Sequence, residues 1–365
     1  RDIIGVAAGD DEGKRQRAVE ELRDRILSSP FDTEDEYLRI IVKRQRELWN
    51  DGVRAGSILH EITPDTAGVE DEDAETDEED GAESAAPAAE HQTHMGFHEG
   101  EYVAGKWGRY VRAPDFYFEV MRRFGRRFVA LGEIASVRFG VKSGCDKFFM
   151  PRDVTERVLR DSPTKAAFRR RAGGAPRDDV ESGKPRIIQA GDGSIHAVEA
   201  EYLAPEVHSL MKVDRPIIRA RNLDRVVLLV GQPMKDLRGT WVHKYLKYGE
   251  QATFDSKKSK AVPIPQRSTC AARDPWYDLT KLVKPGFAFW PMAQQYRHII
   301  AGNPERLICN HNLFDLYSDE FPKREQQALW AILNSTLIGL FKTFYGRFAG
   351  TEGNLKTEVV DVNLL

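Results

Sequence analysis

The stretch Leu131–Val141, LGEIASVRFGV, reads as a helical turn passing straight into a strand. Outward from it the same mixing continues. Pro114-Asp115 opens a helix through Phe116, Phe118, Val120, Met121 and Phe124. Ile187-Ile188 and Ser194–Val198 flank Gly191-Asp192-Gly193, a hairpin turn. A helix near Pro205–Met211 and a strand at Val226–Val230 follow, then a helix from Trp241 to Tyr248 ending at Gly249. Short strands are expected at Phe287–Trp290, Leu307–Cys309 and Leu313–Tyr317, and one long helix from Lys323 to Tyr345. Residues 160–184 are basic, contain Gly and Pro, and read as loop. Strands and helices mix without a steady βαβ rhythm, so the main domain is α+β.

Toward the N-terminus, residues 14–28 form an amphipathic helix through Val19, Leu22, Ile26 and Leu27. Residues 37–42, YLRIIV, suit a strand, and RQRELWNDG after them ends in a turn. Residues 64–100 hold no periodic apolar pattern and cannot bury enough surface to offset their ordering entropy. Three parts are therefore expected: 1–63 as the end of a larger domain, 64–100 as an acidic disordered linker, and 101–365 as the main domain. With no initiating Met and a last residue inside an apparent strand or turn, the chain is read as a fragment.

The net charge of −3 conceals an asymmetry. Residues 65–90 carry 12 acidic side chains and no Lys or Arg; without them 54 basic residues face 45 acidic ones, a net of +9. From Lys106 to Arg186 there are 20 Lys and Arg against 10 Asp and Glu. A basic body beside a separate acidic run is the balance of a nucleic-acid binder. The acidic run is expected to be a solvated insertion rather than a DNA mimic. Cys145, Cys270 and Cys309 are far apart and form no C-x-x-C pair, which disfavours a disulfide framework or a cysteine zinc site and suits a reducing, cytoplasmic location. No apolar run approaches a membrane span.

Neither G-x-x-x-x-G-K-[ST] nor G-x-G-x-x-G occurs, nor do G-x-S-x-G, H-E-x-x-H or the kinase motif set. His91, His94 and His98 are expected to be a chance cluster, and Cys309 with His311 on one strand face to be core packing. A nuclease built on scattered carboxylates finds no P-D…(D/E)-x-K set; Asp10, Asp11, Glu12 and Lys14 only crowd the first residues.

A family pattern emerges from Lys106-Trp107-Gly108-Arg109-Tyr110-Val111-Arg112-Ala113-Pro114, then Leu131–Ala135 and Phe139-Gly140-Val141-Lys142-Ser143-Gly144-Cys145-Asp146-Lys147-Phe148-Phe149. Tyr202–Pro205, Gly239–Glu250, Arg273–Leu279, Leu333-Asn334-Ser335-Thr336, Gly346-Arg347 and Gly353–Lys356 continue it in order. From Lys106 to the C-terminus the chain resembles the target-recognition domain of gamma-class adenine-N6 DNA methyltransferases, the Taq-type methylases and the fused type IIG restriction-modification enzymes. The first 60 residues resemble, more vaguely, the last elements of the α/β methyltransferase domain. That family carries a glycine-rich turn for S-adenosylmethionine and an (Asn/Asp/Ser)-Pro-Pro-(Tyr/Phe/Trp) motif, and this sequence has no Pro-Pro dipeptide. The resemblance thus implies sequence-specific binding of double-stranded DNA with no catalytic, cofactor or metal residue in this chain. S-adenosylmethionine would belong to the parent enzyme, whose missing methyltransferase domain is the expected partner. A restriction-modification or phage-defence setting follows from the same resemblance. The alternative is a non-catalytic specificity subunit for a separate methylase; such subunits normally carry two recognition domains, and only one fits here.

A duplex reader needs cations for phosphates and donors on closely approaching backbone. Gly140 and Gly144 permit such an approach, while Arg138, Lys142, Ser143 and Lys147 carry donors. For Lys142 and Ser143, DNA contact and a turn-shaping role both stay open; Phe148 and Phe149 are assigned to the core. Arg169-Arg170-Arg171 with Arg177, and Lys257, Lys258, Lys260 and Arg267, lie in loop-like polar stretches as phosphate-tracking or merely solvated runs. Arg109 joins them from the opening motif. Arg347 contacts a phosphate or closes an ion pair. Trp107, Trp276, Tyr277 and Trp290 are expected to be buried rather than stacked on bases.

Overall fold

The computed structural model describes residues 11–36, 38–62, 102, 107–210, 215–254, 262–295, 297–348 and 354–365. The expected linker at 64–100 lies outside these, as do Lys257, Lys258 and Lys260. The described residues form a mixed α+β fold of several small sheets.

A four-stranded antiparallel sheet runs in the order Ala301–Gly302, Ala288–Pro291, Leu313–Tyr317, Ser136–Phe139. Strand alternation divides its side chains between two cores. Val137, Ala288, Trp290, Phe314 and Leu316 pack against Tyr117, Leu329, Phe341, Phe344 and Leu365. Phe289, Ala301 and Leu313 pack with Val207, Leu210, Ile218 and Cys309 on the other side. Both faces are thus covered, which is why LFDLY is buried at all five positions despite its central aspartate.

A second sheet joins Arg152–Asp153, Pro185–Gln189 and Ile195–Glu199, the latter two as the expected hairpin. Ile187 and Ala197 face Val154, Val158, Phe168 and Val180 of three short helices. Ile188 and Val198 face Phe148, Phe149, Tyr245 and Leu246, so the Trp241–Gln251 helix covers the opposite side. Leu203–Val207 lies parallel to Ile308–Cys309 and antiparallel to Val226–Leu228, linking the cores. At the N-terminal side, the Gln45–Ile62 helix is tied to the Gly108–Arg112 helix through Arg109, which donates to Asp51. The Glu12–Ser28 helix forms as expected and buries none of its residues.

Four local expectations are corrected. Residues 160–184 hold helices, not a loop: Lys165–Arg171 is capped by Thr164, whose hydroxyl accepts from Ala167 N at 3.2 Å, and anchored by fully buried Phe168. The expected helix near 205–211 gives way to the Leu203–Val207 strand, because pairing on both edges outweighs local preference. RQRELWNDG does not end in a turn; the helix continues through Gly52 to Ile62. The long helix is two, Lys323–Leu333 and Thr336–Tyr345, with Ser335 capping the second.

Candidate nucleic-acid interface

The family-like segment 139–149 is built by two close approaches. Gly140 N–H donates to the Leu313 carbonyl at 2.9 Å, and a Cβ there would lie 2.1 Å from the Asn310 carbonyl oxygen, so only glycine fits. Gly144, at φ +81, sits against Thr269 and Cys270. The glycines therefore bring the backbone near this chain's own loops, where the sequence suggested an external partner.

Ser143 is buried, with 1% of its surface exposed. Its hydroxyl donates to Asp146 and accepts from Cys145 N at 3.0 Å, and its carbonyl accepts from Arg273 Nη2 at 2.7 Å. It closes the turn into the Asp146–Phe149 helix and has no face to offer DNA. Phe148 and Phe149 are fully buried, as the sequence reading required. Lys142 stands differently: its ammonium lies 4.9 Å from the centre of the Phe139 ring, beside an edge strand. Arg138 on that strand is exposed and sits 5.5 Å from the Tyr317 ring centre, with Lys284 over the same ring at 5.4 Å. Arg138 and Lys284 thus share the Tyr317 ring, Lys284 also lying 4.0 Å from Asp319, while strand alternation puts the Phe139 ring under Lys142 on the other face of the sheet. Lys147 is half-buried, its carbonyl accepting from Gly191 N at 2.7 Å.

Arg169, Arg170 and Arg171 are exposed in the last turn of their helix, on a core separate from that of the Ser136–Phe139 strand. Four cations of the same small core are paired: Arg160 with Asp161, Lys165 with Asp178, Arg177 with Glu181, Arg186 with Asp153. None of the three arginines meets a carboxylate among the described residues. Arg171 donates only to the Asp161 carbonyl at 2.9 Å, and Arg169 only to that of Gly174 at 3.4 Å. Arg347 is also exposed, in a two-residue strand beside Lys356. Arg109 is instead committed internally to Asp51 and to Tyr110 Oη at 3.0 Å. Of the expected aromatics, Trp290 and Tyr277 are buried, while Trp107 is 43% exposed.

Sequence reading put Arg267 in a phosphate-tracking or solvated run and Arg273 in the family pattern; the structure corrects the first, because both hold the 139–149 segment from within. Arg267, 4% exposed, donates to the Gly144 carbonyl at 3.2 Å and the Phe254 carbonyl at 2.9 Å, while Arg273 lies over Phe149. Behind the segment lies a buried polar knot. His311 Nδ1 is 3.6 Å from Asp146 Oδ2, and His208 Nδ1 is 3.3 Å from Glu206 Oε1 and 2.9 Å from Asn310 Nδ2. Asn312 N donates to Asn310 Oδ1, which fixes that amide so that Nδ2 donates to His208. Burial pushes the Glu206 carboxyl up, toward its neutral form. No group of three or more His, Cys, Asp or Glu among the described residues is arranged to hold a metal. No described helix is long and apolar enough to cross a membrane.

The described residues thus form a mixed α+β body whose Arg169-Arg170-Arg171 turn meets no carboxylate among them. A scan against protein-family models finds no match, and neither does a search of curated proteins. Among solved structures, the chain is similar to a crystal structure of the type IIG restriction endonuclease BpuSI, with a TM-score of 0.43 and 16% identity over 69% of this chain. The match covers 25% of that enzyme, so the chain spans well under two thirds of its length. No activity of this chain follows from a likeness of that extent.

Proposed function

We propose that this chain reads double-stranded DNA as the target-recognition part of an adenine-N6 DNA methyltransferase of a restriction-modification or phage-defence system. The observation that carries the DNA-binding reading is the Arg169-Arg170-Arg171 turn: three exposed guanidinium groups that meet no carboxylate among the described residues, beside Arg160, Lys165, Arg177 and Arg186, which do. Phosphates neutralise such a cluster at little conformational cost, because the helix already fixes it. Arg138, Lys142 and Arg347 add further cations. The assignment to a methyltransferase rests on the ordered motifs from Lys106 to Lys356, and the lack of a Pro-Pro dipeptide is the reason for assigning methyl transfer and S-adenosylmethionine to a partner domain.

The test measures binding of the chain to mixed-sequence duplex across a salt series, beside a methyl-transfer assay with S-adenosylmethionine. Salt-sensitive binding without methylation is expected. Replacing all three arginines with Gln should lower the log–log salt slope by about three, one counterion per lost phosphate contact. Binding whose salt slope the triple variant leaves unchanged would exclude the arginine turn as the phosphate contact, and methylation by the chain alone would refute the division of labour.

A further inference from the structure

A cleft of about 100 Å³, open to solvent, lies where the Ala301–Gly302 edge strand, the following turn to Arg306 and the Lys323–Leu333 helix meet. Ile217, Phe287, Pro304 and Trp330 supply apolar walls. The Trp330 ring is fixed by its indole N–H, which donates to the Ile300 carbonyl at 2.8 Å. The lining includes two cations, Arg306 and Lys323, and no carboxylate. Glu305, the adjacent acid, is turned away and engaged with Arg219 at 3.0 Å and Ala220 N at 2.9 Å. Lys323 meets no carboxylate among the described residues. Arg306 is held at φ 55, the one non-glycine residue among those described in the left-handed region. Backbone strain of that kind persists where the surroundings enforce it, and it concentrates at binding sites. The Arg306 guanidinium lines the cleft and donates to Gln326 Oε1 at 3.0 Å and to the Pro285 carbonyl at 3.5 Å, with further N–H donors to spare.

We infer that this cleft binds a nucleoside monophosphate unit, the planar ring against the apolar walls and the phosphate on Arg306 and Lys323. Apolar walls alone accept any neutral ring, and surface cations alone accept any anion; side by side they select a ring covalently joined to an anion. The Gln327 amide in the lining offers a donor and an acceptor to a ring edge. The inference stands apart from the duplex-reading proposal, because a free nucleotide and an unstacked nucleotide of DNA present the same chemistry.

The experiment titrates the intact chain calorimetrically with dAMP, dGMP, dCMP and dTMP, with the matching deoxynucleosides, and with inorganic phosphate. Saturable binding of at least one nucleotide is expected, tighter than its nucleoside and tighter than phosphate. Arg306→Ala and Lys323→Ala, both at exposed side chains, should each weaken nucleotide binding about tenfold while moving nucleoside binding less than about twofold. A short single-stranded oligonucleotide then separates the sources: displacement of the bound nucleotide assigns the cleft to DNA, and co-binding assigns it to the free nucleotide. The inference is overturned if none of the four nucleotides saturates, if phosphate binds as tightly as the nucleotides, or if the double variant retains full affinity.

Discussion

Asp315 and Lys342 are ionisable side chains held away from water in the core of the central sheet and its helices. Burial pushes the Asp315 carboxyl up to about 6, against the Gly286 N–H and Cys309 thiol that favour its charged form. Burial likewise brings the Lys342 ammonium down to about 7, although its Nζ reaches Gln294 Oε1 at 2.7 Å. The two act on different pH windows. For Asp315, raised from 3.8, the unfolded chain releases its proton first, so the group's favourable contribution is complete below pH 3.8 and lost as pH rises through about 6. For Lys342, lowered from 10.5, the unfolded chain holds its proton longer, so the contribution is complete above 10.5 and lost as pH falls through about 7. Melting temperatures across pH 4 to 10 should show Asp315→Asn flattening the acidic limb and Lys342→Met the alkaline limb. Slopes unchanged in either variant would mean that water reaches the group. Neither role was legible in the sequence. Asp315 stands amid LFDLY as a half-exposed strand would place it, and only covering of both faces buries it. Ser143 shows the same limit: its type and spacing suit a DNA contact, yet Arg273 and Asp146 take its polar atoms inward.

Elements defined by hydrophobic period were readable. The Leu131–Ile134 turn with the Ser136–Phe139 strand, the 185–199 hairpin, and the Asp115–Phe124 helix all form as the pattern requires. What failed were elements defined by their neighbours. Leu203–Val207 is a strand because Ile308–Cys309 and Val226–Leu228 flank it, and no local signal announces partners that distant. The break at Asn334-Ser335 is a different case, since its signal was present: a serine followed by TLIG fits an N-cap, but the continuous apolar face of 323–345 masked it. In the structure Ser335 Oγ accepts from Ile338 N at 3.4 Å, and Asn334 Oδ1 accepts from Ile300 N at 2.9 Å. The cap thus begins a helix while its neighbour satisfies a loop beside the central sheet. Ser335→Ala should destabilise the fold by about 1 kcal/mol, and Ser335→Asp should largely preserve it. Chemical denaturation of the two variants checks this; equal losses would show that the long 3.4 Å bond contributes nothing and that the loop alone sets the break.

At the scale of the whole molecule, charge distribution is the property most directly written in the sequence. The chain carries −3 overall, but the 12 acids of residues 65–90, which lie outside the described residues, leave +9 on the remainder. Long-range attraction between protein and DNA depends on that sum, because at low salt the screening length spans much of a domain. Short-range contacts of the kind proposed for Arg169–Arg171 depend on it far less. Deleting residues 65–90 should therefore raise the association rate with duplex DNA at about 10 mM salt, where the Debye length is about 30 Å. The gain should fade by about 0.5 M salt, and the dissociation rate should change little. Stopped-flow association across the series separates two roles for the acidic run. An on-rate gain that disappears with salt marks it as a solvated insertion that lowers the attracting field. A dissociation rate that falls several-fold, at high salt as well, marks it instead as a competitor seated on the basic face, and would reverse the reading of that segment as inert.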